Sequence, residues 1–265
     1  MSNSTVIYSL KEHVAHITLN RPRVGNVINP ALAQELTDIC ERISQDDNIY
    51  VVVITGAGEK AFCCGHELEN MIQSGKTMET ALAKLKETGM GFSVASAIAS
   101  IDRPVIAAIN GDAFGQGLEL ALSCDVRLAT QTARFGFPLV ASGLMPSDGG
   151  TQRLPRIIGR GKALELVLTG EIIDAEEALA IGLVSQVVPP PDLMATAEAL
   201  AQNVAGKAPI ALRFIKEAVH KGLDLTLEQG LRLEADLYFL LHTTADRTEG
   251  IRAFLEKRQP RFKGQ

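Results

Sequence analysis

Apolar and polar positions alternate at the start of the chain. "VIYSL" and "VAHITLN" read as two short strands with a turn at Lys11–Glu12. After a loop, "RPRVGNVIN", the period changes. Asn29 as N-cap and Pro30 at the first position open a helix, and Leu32, Leu36, Ile39 and Ile43 give it an apolar face at helical spacing. "YVVVITG" and "RPVIAAING" are unbroken apolar runs of strand length and read as buried strands. Between them, "KAFCCGHELENM" reads as a loop entering a helix. The stretch from Met71 to Ser100 reads as helical, with breaks at Gly75 and around Gly89–Gly91. "VRLAT" and "ARFGFP" are expected strands. Up to about residue 140 the pattern repeats strand, turn and helix. It predicts an α/β fold with a mainly parallel or spiral sheet and helices outside. From Gly149 onward the periodicity is helical, with "LVSQVVPPP" the only expected strand and "EGIRAFLEKRQPRF" a last helix and tail.

Composition narrows the classes. A chain of 265 residues suits one large domain, or one with a small appendage. Apolar residues make up 46% and charged residues 22%, ordinary for a globular protein. A net charge of −5 argues against nucleic acid as partner, while leaving room for a local basic pocket. Cys40, Cys63, Cys64 and Cys124 lack metal-ligand spacing and read as reduced thiols, with adjacent Cys63 and Cys64 as small apolar fillers. The N-terminus resembles neither a transit peptide nor an export signal, and no apolar run approaches the roughly 18 residues a membrane span needs. The expected location is cytoplasmic, with no membrane partner.

One stretch resists this bland picture. In "GQGLELALSCD" a single carboxylate, Glu119, stands among leucines, just after a buried strand and a glycine turn. Burying an unpaired charge is costly. Strand, glycine turn and helix is a common anion-binding construction, but "GDAFGQG" has neither the P-loop ending nor the dinucleotide spacing. A second loop, "FCCGHEL", follows the strand "YVVVITG" in the same way. Two such turns can present two backbone N–H groups to one carbonyl oxygen and hold the anion formed from it. Read from the residues alone, Glu119 could equally be a first-turn carboxylate favoured by its helix dipole.

Together these pieces resemble the crotonase superfamily, the enoyl-CoA hydratase/isomerase family. The resemblance is carried by "LNRPRVGN", "VVVITGAGEKAFCCGHEL", "RPVIAAINGDAFGQGLELALSCDVRLA", "GGTQRLPRIIG", "ALELVLTG", "AIGLVSQVV" and "EGIRAFLEKRQPRF", in family order along essentially the whole chain. It implies a crotonase-like spiral of strand-strand-helix units. Residues 1–195 would form the core with the acyl-CoA site, and residues 196–265 a helical region for trimerisation and CoA covering. It also implies an acyl-CoA thioester substrate, self-association as trimers or dimers of trimers, and no metal or cofactor beyond CoA carried by the substrate. The family's oxyanion-hole N–H groups fall at His66 and Gln116, and its first catalytic glutamate at Glu119. Its CoA-contacting positions fall at Arg23, Lys60, Phe254 and Lys257; as single residues, Arg23, Lys60 and Lys257 could equally be solvated charges.

The sequence departs from the family at one place. Two-glutamate relatives carry the second acid right after the proline of "FGxPE"; here the text is "FGFPLV" and the position, which the resemblance puts in the acyl pocket, is Leu139. Hydration needs water activated at one carbon and a proton delivered to the other, and leucine can do neither. Asp148 in "GLMPSDGGTQRL" is the nearest substitute, one residue past the family's aspartate position at Ser147; an N-cap role for the helix that follows it is equally natural. Ser147 and His66 are weaker candidates. The expected function is therefore adding water to, or moving, the double bond of an enoyl-CoA, with Glu119 as acid/base. The alternatives are an isomerase, or a hydratase of a cyclic dienoyl-CoA, using Asp148, and a non-catalytic acyl-CoA binder.

Overall fold

The computed structural model describes residues 4–66 and 94–265. β1 (Val6–Lys11) and β2 (Val14–Leu19) pair antiparallel, from Val6 opposite Leu19 to Lys11 opposite Val14. The chain turns at Glu12, whose φ is 52°. A 3₁₀ turn over Pro22–Val24 leads to α1 (Pro30–Gln45). The expected cap is present: the Asn29 side chain accepts from the Leu32 N–H, and Leu32, Leu36, Ile39 and Ile43 are buried. Such a cap stabilises a helix by about 1 kcal/mol.

From here the chain alternates between two sheets. β3 (Val51–Gly56) joins the first and β4 (Ala61–Cys63) the second. After α2 (Val94–Ala99), β5 (Val105–Ile109) and β6 (Asp112–Phe114) repeat the step and lead into α3 (Gln116–Leu122). β7 (Val126–Thr130) and β8 (Arg134–Gly136) repeat it again, followed by α4 (Gly150–Ile158) and α5 (Arg160–Thr169). β9 (Ile172–Asp174), α6 (Ala175–Ala180) and β10 (Gln186–Val188) close the spiral. The first sheet runs β1-β2-β3-β5-β7-β10, parallel from β2 onward, and the second runs β4-β6-β8-β9.

The fold is thus the expected spiral of strand-strand-helix units with a helical C-terminal region. The sequence reading missed β4, β6 and β9. Each has three residues, too few to show a period of two, and unlike the equally short β8 and β10 each lies in a stretch that reads as turn, loop or helix. β9 also corrects the expectation of a single strand after Gly149. Of the helix expected over 71–100, the part before Val94 lies outside the described residues.

Alternation in the strands separates two cores. Ala15, Ile17, Leu19, Val52, Ile54, Val105, Ala107 and Ile109 share one buried cluster with the apolar face of α1. Val14, Val51, Val53, Ile106, Ala108 and Leu128 join α7 (Leu193–Ala205) through Leu193, Ala197 and Ala201 in the other. The division expected at 195/196 falls inside α7. Beyond it come α8 (Pro209–Gly222), α9 (Leu227–Leu241) and α10 (Ala245–Leu255). α8 is anchored to the sheet by Lys216 and His220, whose nitrogens lie 2.7 and 2.8 Å from the two oxygens of Asp125. Among the described residues no helix is long and apolar enough to cross a membrane.

Candidate active site

Three loops meet beyond the C-terminal ends of β3 and β5, and buried Asn26 joins the first two. Its amide donates to the carbonyls of Ala57 and Ala61, at 3.0 and 2.8 Å, while its oxygen accepts from the Arg21 N–H. The Ile28 N–H donates to the Gly65 carbonyl at 2.7 Å, and Ile28 bridges to His66. The third loop approaches so closely that side chains are excluded. A Cβ at Gly117 would lie 1.8 Å from the Cys63 carbonyl oxygen. Gly115 turns the chain into α3 at φ 53° and ψ −123°, a conformation glycine adopts at little cost. A Cβ at Gly65 would lie 3.4 Å from the Gln116 nitrogen. The backbones of His66 and Gln116 are therefore brought to the same place.

A cavity opens there. His66, Gly115, Gln116, Glu119, Phe137, Leu139, Val140, Leu144, Met145, Pro146 and Ser147 line it. His66, Gln116, Glu119 and Leu139, four of the residues singled out from sequence, thus share one wall system. Leu139 lies on the 3₁₀ turn Pro138–Ser142, its Cδ1 3.5 Å from where a Cβ on Gly115 would stand.

Glu119 is only 1% exposed. Its Oε1 accepts from two backbone N–H groups, those of Asp148 and Gly150, both at 2.7 Å. The Gly150 N–H belongs to the first turn of α4, so a carboxylate from a different helix caps α4. Burial pushes the Glu119 carboxyl above the ordinary glutamate value. The N–H groups of Gly150, Asp148 and Ser147 pull it back, and the neighbouring Asp148 charge adds to the rise. Burial likewise holds His66 below the ordinary histidine value, against opposing contributions from Ile28 and Asp148.

Asp148 is buried but is not among the cavity-lining residues. Its Oδ2 accepts from the Ala95 N–H at 2.9 Å, in the first turn of α2, and from Gln116 Nε2 at 3.2 Å. Its Oδ1 lies 3.5 Å from Ser96 Oγ. Asp148 therefore caps α2; the residue at the N-cap of α4 is Gly149, which has no side chain to offer. Arg153 fastens this loop from behind, donating to the Asp148 carbonyl at 2.8 Å.

The expected CoA contacts fall into two places. Arg23 and Lys60 are exposed on the first two loops, which touch where a Cβ on Gly58 would lie 3.2 Å from Pro22 Cβ. Phe254, 83% exposed, and Lys257, just past the end of α10, lie elsewhere on the chain and do not line the Glu119 cavity. The sequence reading missed the walls formed by Phe137, Val140, Leu144, Met145 and Pro146. It also missed the N–H pair that holds Glu119. The double glycine after Asp148 was the available signal for that pair.

Known proteins share this sequence and fold along the whole chain. Residues 9–265 match the family described as Enoyl-CoA hydratase/isomerase. The chain is 45% identical over 267 residues to YngF of Bacillus subtilis, covering 98% of each chain. It is 38% identical to a short-chain-enoyl-CoA hydratase of Clostridium acetobutylicum, covering 98% of this chain and 97% of that one. The crystal structure of an enoyl-CoA hydratase from Bacillus anthracis superposes with a TM-score of 0.92 at 40% identity, covering 98% of this chain and all of the other. A whole-chain match in sequence and in spatial arrangement shows that the chain belongs to the enoyl-CoA hydratase/isomerase family.

Proposed function

We propose that the protein hydrates the double bond of an enoyl-CoA thioester, with Glu119 as its one acid/base. The observation that carries this reading is the placement of Glu119. It is a buried carboxylate with a raised pKa, pinned through one oxygen and lining the same cavity as His66 and Gln116. The thioester oxygen would accept from the backbone N–H groups of His66 and Gln116, which hold the charge developing there. Among the described residues both short Glu119 contacts fall on Oε1, and Oε2 would meet a water. Oε2 takes a proton as the water oxygen bonds to the β-carbon, and the double-bond electrons move into the thioester as an enolate. Protonated Glu119 then returns that proton to the α-carbon. The water's atoms are fully accounted for, and no second acid is needed. The Clostridium relative's short-chain activity supports this substrate class.

Leu139 favours a second reading. An apolar residue at that position suits a one-base proton shift, in which Glu119 removes a proton from one carbon of a 3-enoyl-CoA and returns it two carbons away. A third reading, a dienoyl-CoA reaction in which Asp148 shares the proton work, draws less support because the Asp148 carboxylate faces Ala95 and Gln116. A non-catalytic binder gives no reason to hold a carboxylate in a raised-pKa state. No cofactor is required beyond the CoA of the substrate. Arg23 and Lys60 would meet its phosphates from the loop side, and Phe254 and Lys257 would meet its nucleotide end from the C-terminal region. Exposed Leu227, Leu231 and Phe239 on α9 would be covered by further copies in a trimer or a dimer of trimers, which sedimentation velocity tests.

The deciding experiment compares turnover of crotonyl-CoA and a 3-enoyl-CoA by the wild type and by Glu119→Gln. Hydration by the wild type and a loss of about 10²- to 10⁴-fold in the variant are expected. Turnover of the 3-enoyl-CoA alone selects the isomerase, and near-wild-type turnover by the variant refutes both.

A further inference from the structure

The geometry points to Asp148 as a positioning residue that sets the spacing between the oxyanion donor and the acid/base, without carrying a proton itself. The inference rests on the proposed roles of Gln116 and Glu119. The backbone N–H of Asp148 donates to Glu119 Oε1 at 2.7 Å, while its carboxylate receives the Gln116 side chain at 3.2 Å and the Ala95 N–H at 2.9 Å. One residue therefore grips the acid/base through its backbone and the Gln116 turn through its side chain. It also ties both to the first turn of α2. Gln116 and Glu119 are three residues apart on α3, so this clamp fixes α3 at the end that faces substrate. Arg153, on the Asp148 carbonyl, braces the clamp from α4.

The carboxylate has a second consequence. Asp148, His66 and, behind the Asp148 carbonyl, Arg153 are the titratable and charged groups that the described elements bring around Glu119. The negative charge of Asp148 contributes to the raised pKa of Glu119. A like charge nearby disfavours ionisation and moves a glutamate toward the range where it can both take and give a proton.

Because the Ala95 and Gln116 contacts both fall on Oδ2, Asp148→Asn can keep them through its amide oxygen and delete only the charge. Asp148→Ala deletes the contacts as well. Four measurements on the full chain separate the roles: melting temperature, kcat and KM on whichever of crotonyl-CoA and a 3-enoyl-CoA the wild type turns over, the pH profile of kcat/KM, and the Glu119 carboxyl titration by ¹³C NMR, assigned with Glu119→Gln. A positioning role predicts that Asp148→Asn keeps kcat within about threefold. Its Glu119 titration and the acid limb of its profile move to lower pH together. Asp148→Ala should lose about tenfold or more in kcat with a smaller change in KM. A loss of about 10²-fold or more in Asp148→Asn would make Asp148 a proton carrier and overturn the inference. So would an unmoved Glu119 titration in Asp148→Asn, or full kcat with only a lowered melting temperature in Asp148→Ala. If Glu119→Gln keeps turnover, the proposed function fails, and the NMR titration still judges the clamp.

Discussion

Gly150→Ala tests the grip on Glu119 from the other side. A Cβ there would stand 3.0 Å from Glu119 Oε1, 2.9 Å from Phe137 Cζ and 2.8 Å from Pro146 Cβ. None of these neighbours can yield freely, because Phe137 is buried and Glu119 is held by the Asp148 N–H. Alanine favours a helix over glycine by about 1 kcal/mol. Against that, overpacking costs about 1–3 kcal/mol. Weakening a charge-assisted bond, here the 2.7 Å contact from Gly150, costs a further 1.5–3 kcal/mol or so. The losses outweigh the gain, so the variant should be about 1.5–5 kcal/mol less stable. A misplaced acid/base should lower kcat by about 10- to 100-fold, each tenfold corresponding to about 1.4 kcal/mol. The pH profile carries the sharper sign. The Gly150 N–H favours the ionised carboxylate, so its loss raises the Glu119 pKa further and moves the acid limb of kcat/KM to higher pH. That is opposite to the direction expected for Asp148→Asn. Melting curves and pH-dependent turnover of the wild-type substrate check both. Wild-type kcat with an unmoved acid limb would refute the reasoning, since it would mean that Gly150 neither confines Glu119 nor favours its charge.

Two further expectations concern stability. The folded pKa of Glu119 is raised, so its ionisation weighs against the fold as pH climbs from the ordinary glutamate value through the folded one. Glu119→Gln, whose Oε1 can still accept both N–H groups, should melt higher than the wild type near pH 8; the gap should vanish near pH 4, and a lower melting temperature at pH 8 contradicts the account. Asp125 behaves oppositely: burial pushes its pKa up, but His220, Lys216 and the Val105 N–H outweigh that and hold it below the ordinary value. Its contribution is therefore present above the unfolded aspartate pKa and lost as pH falls through the folded one. Asp125→Asn should cost about 3 kcal/mol at neutral pH by leaving the Lys216 charge with only the Arg103 carbonyl and no carboxylate, and a urea titration showing no difference there would remove Asp125 as the anchor of α8.

The parts of the molecule legible in sequence are those whose signals are local. The Asn29-Pro30 cap, the α1 face and the two apolar strands follow from spacing alone. Glu119 stood out because a charge inside an apolar run asks for a reason, and resemblance supplied one. β4, β6 and β9 were invisible because their pairing partners, not their own pattern, make them strands. The clamp was invisible for a similar reason. Asp148 reads locally as the cap of the helix that follows it, and only the fold shows the caps exchanged, with Glu119 serving α4 and Asp148 serving α2.

That exchange accounts for the burial of the charge. A lone carboxylate at this depth would be too costly to keep ionised. The Gly150 N–H, at the positive end of α4, offsets part of that cost, and the Asp148 N–H adds to it. The Asp148 carboxylate, itself satisfied by Ala95 and Gln116, works the other way. The site thus balances backbone donors that favour the anion against burial and a like charge that oppose it. The proposed proton relay by Glu119 would need such a balance, since on that proposal one group accepts a proton and surrenders it to carbon. Removing a donor or removing the like charge should therefore tip Glu119 in opposite directions, and only a carboxylate poised between them would respond to both.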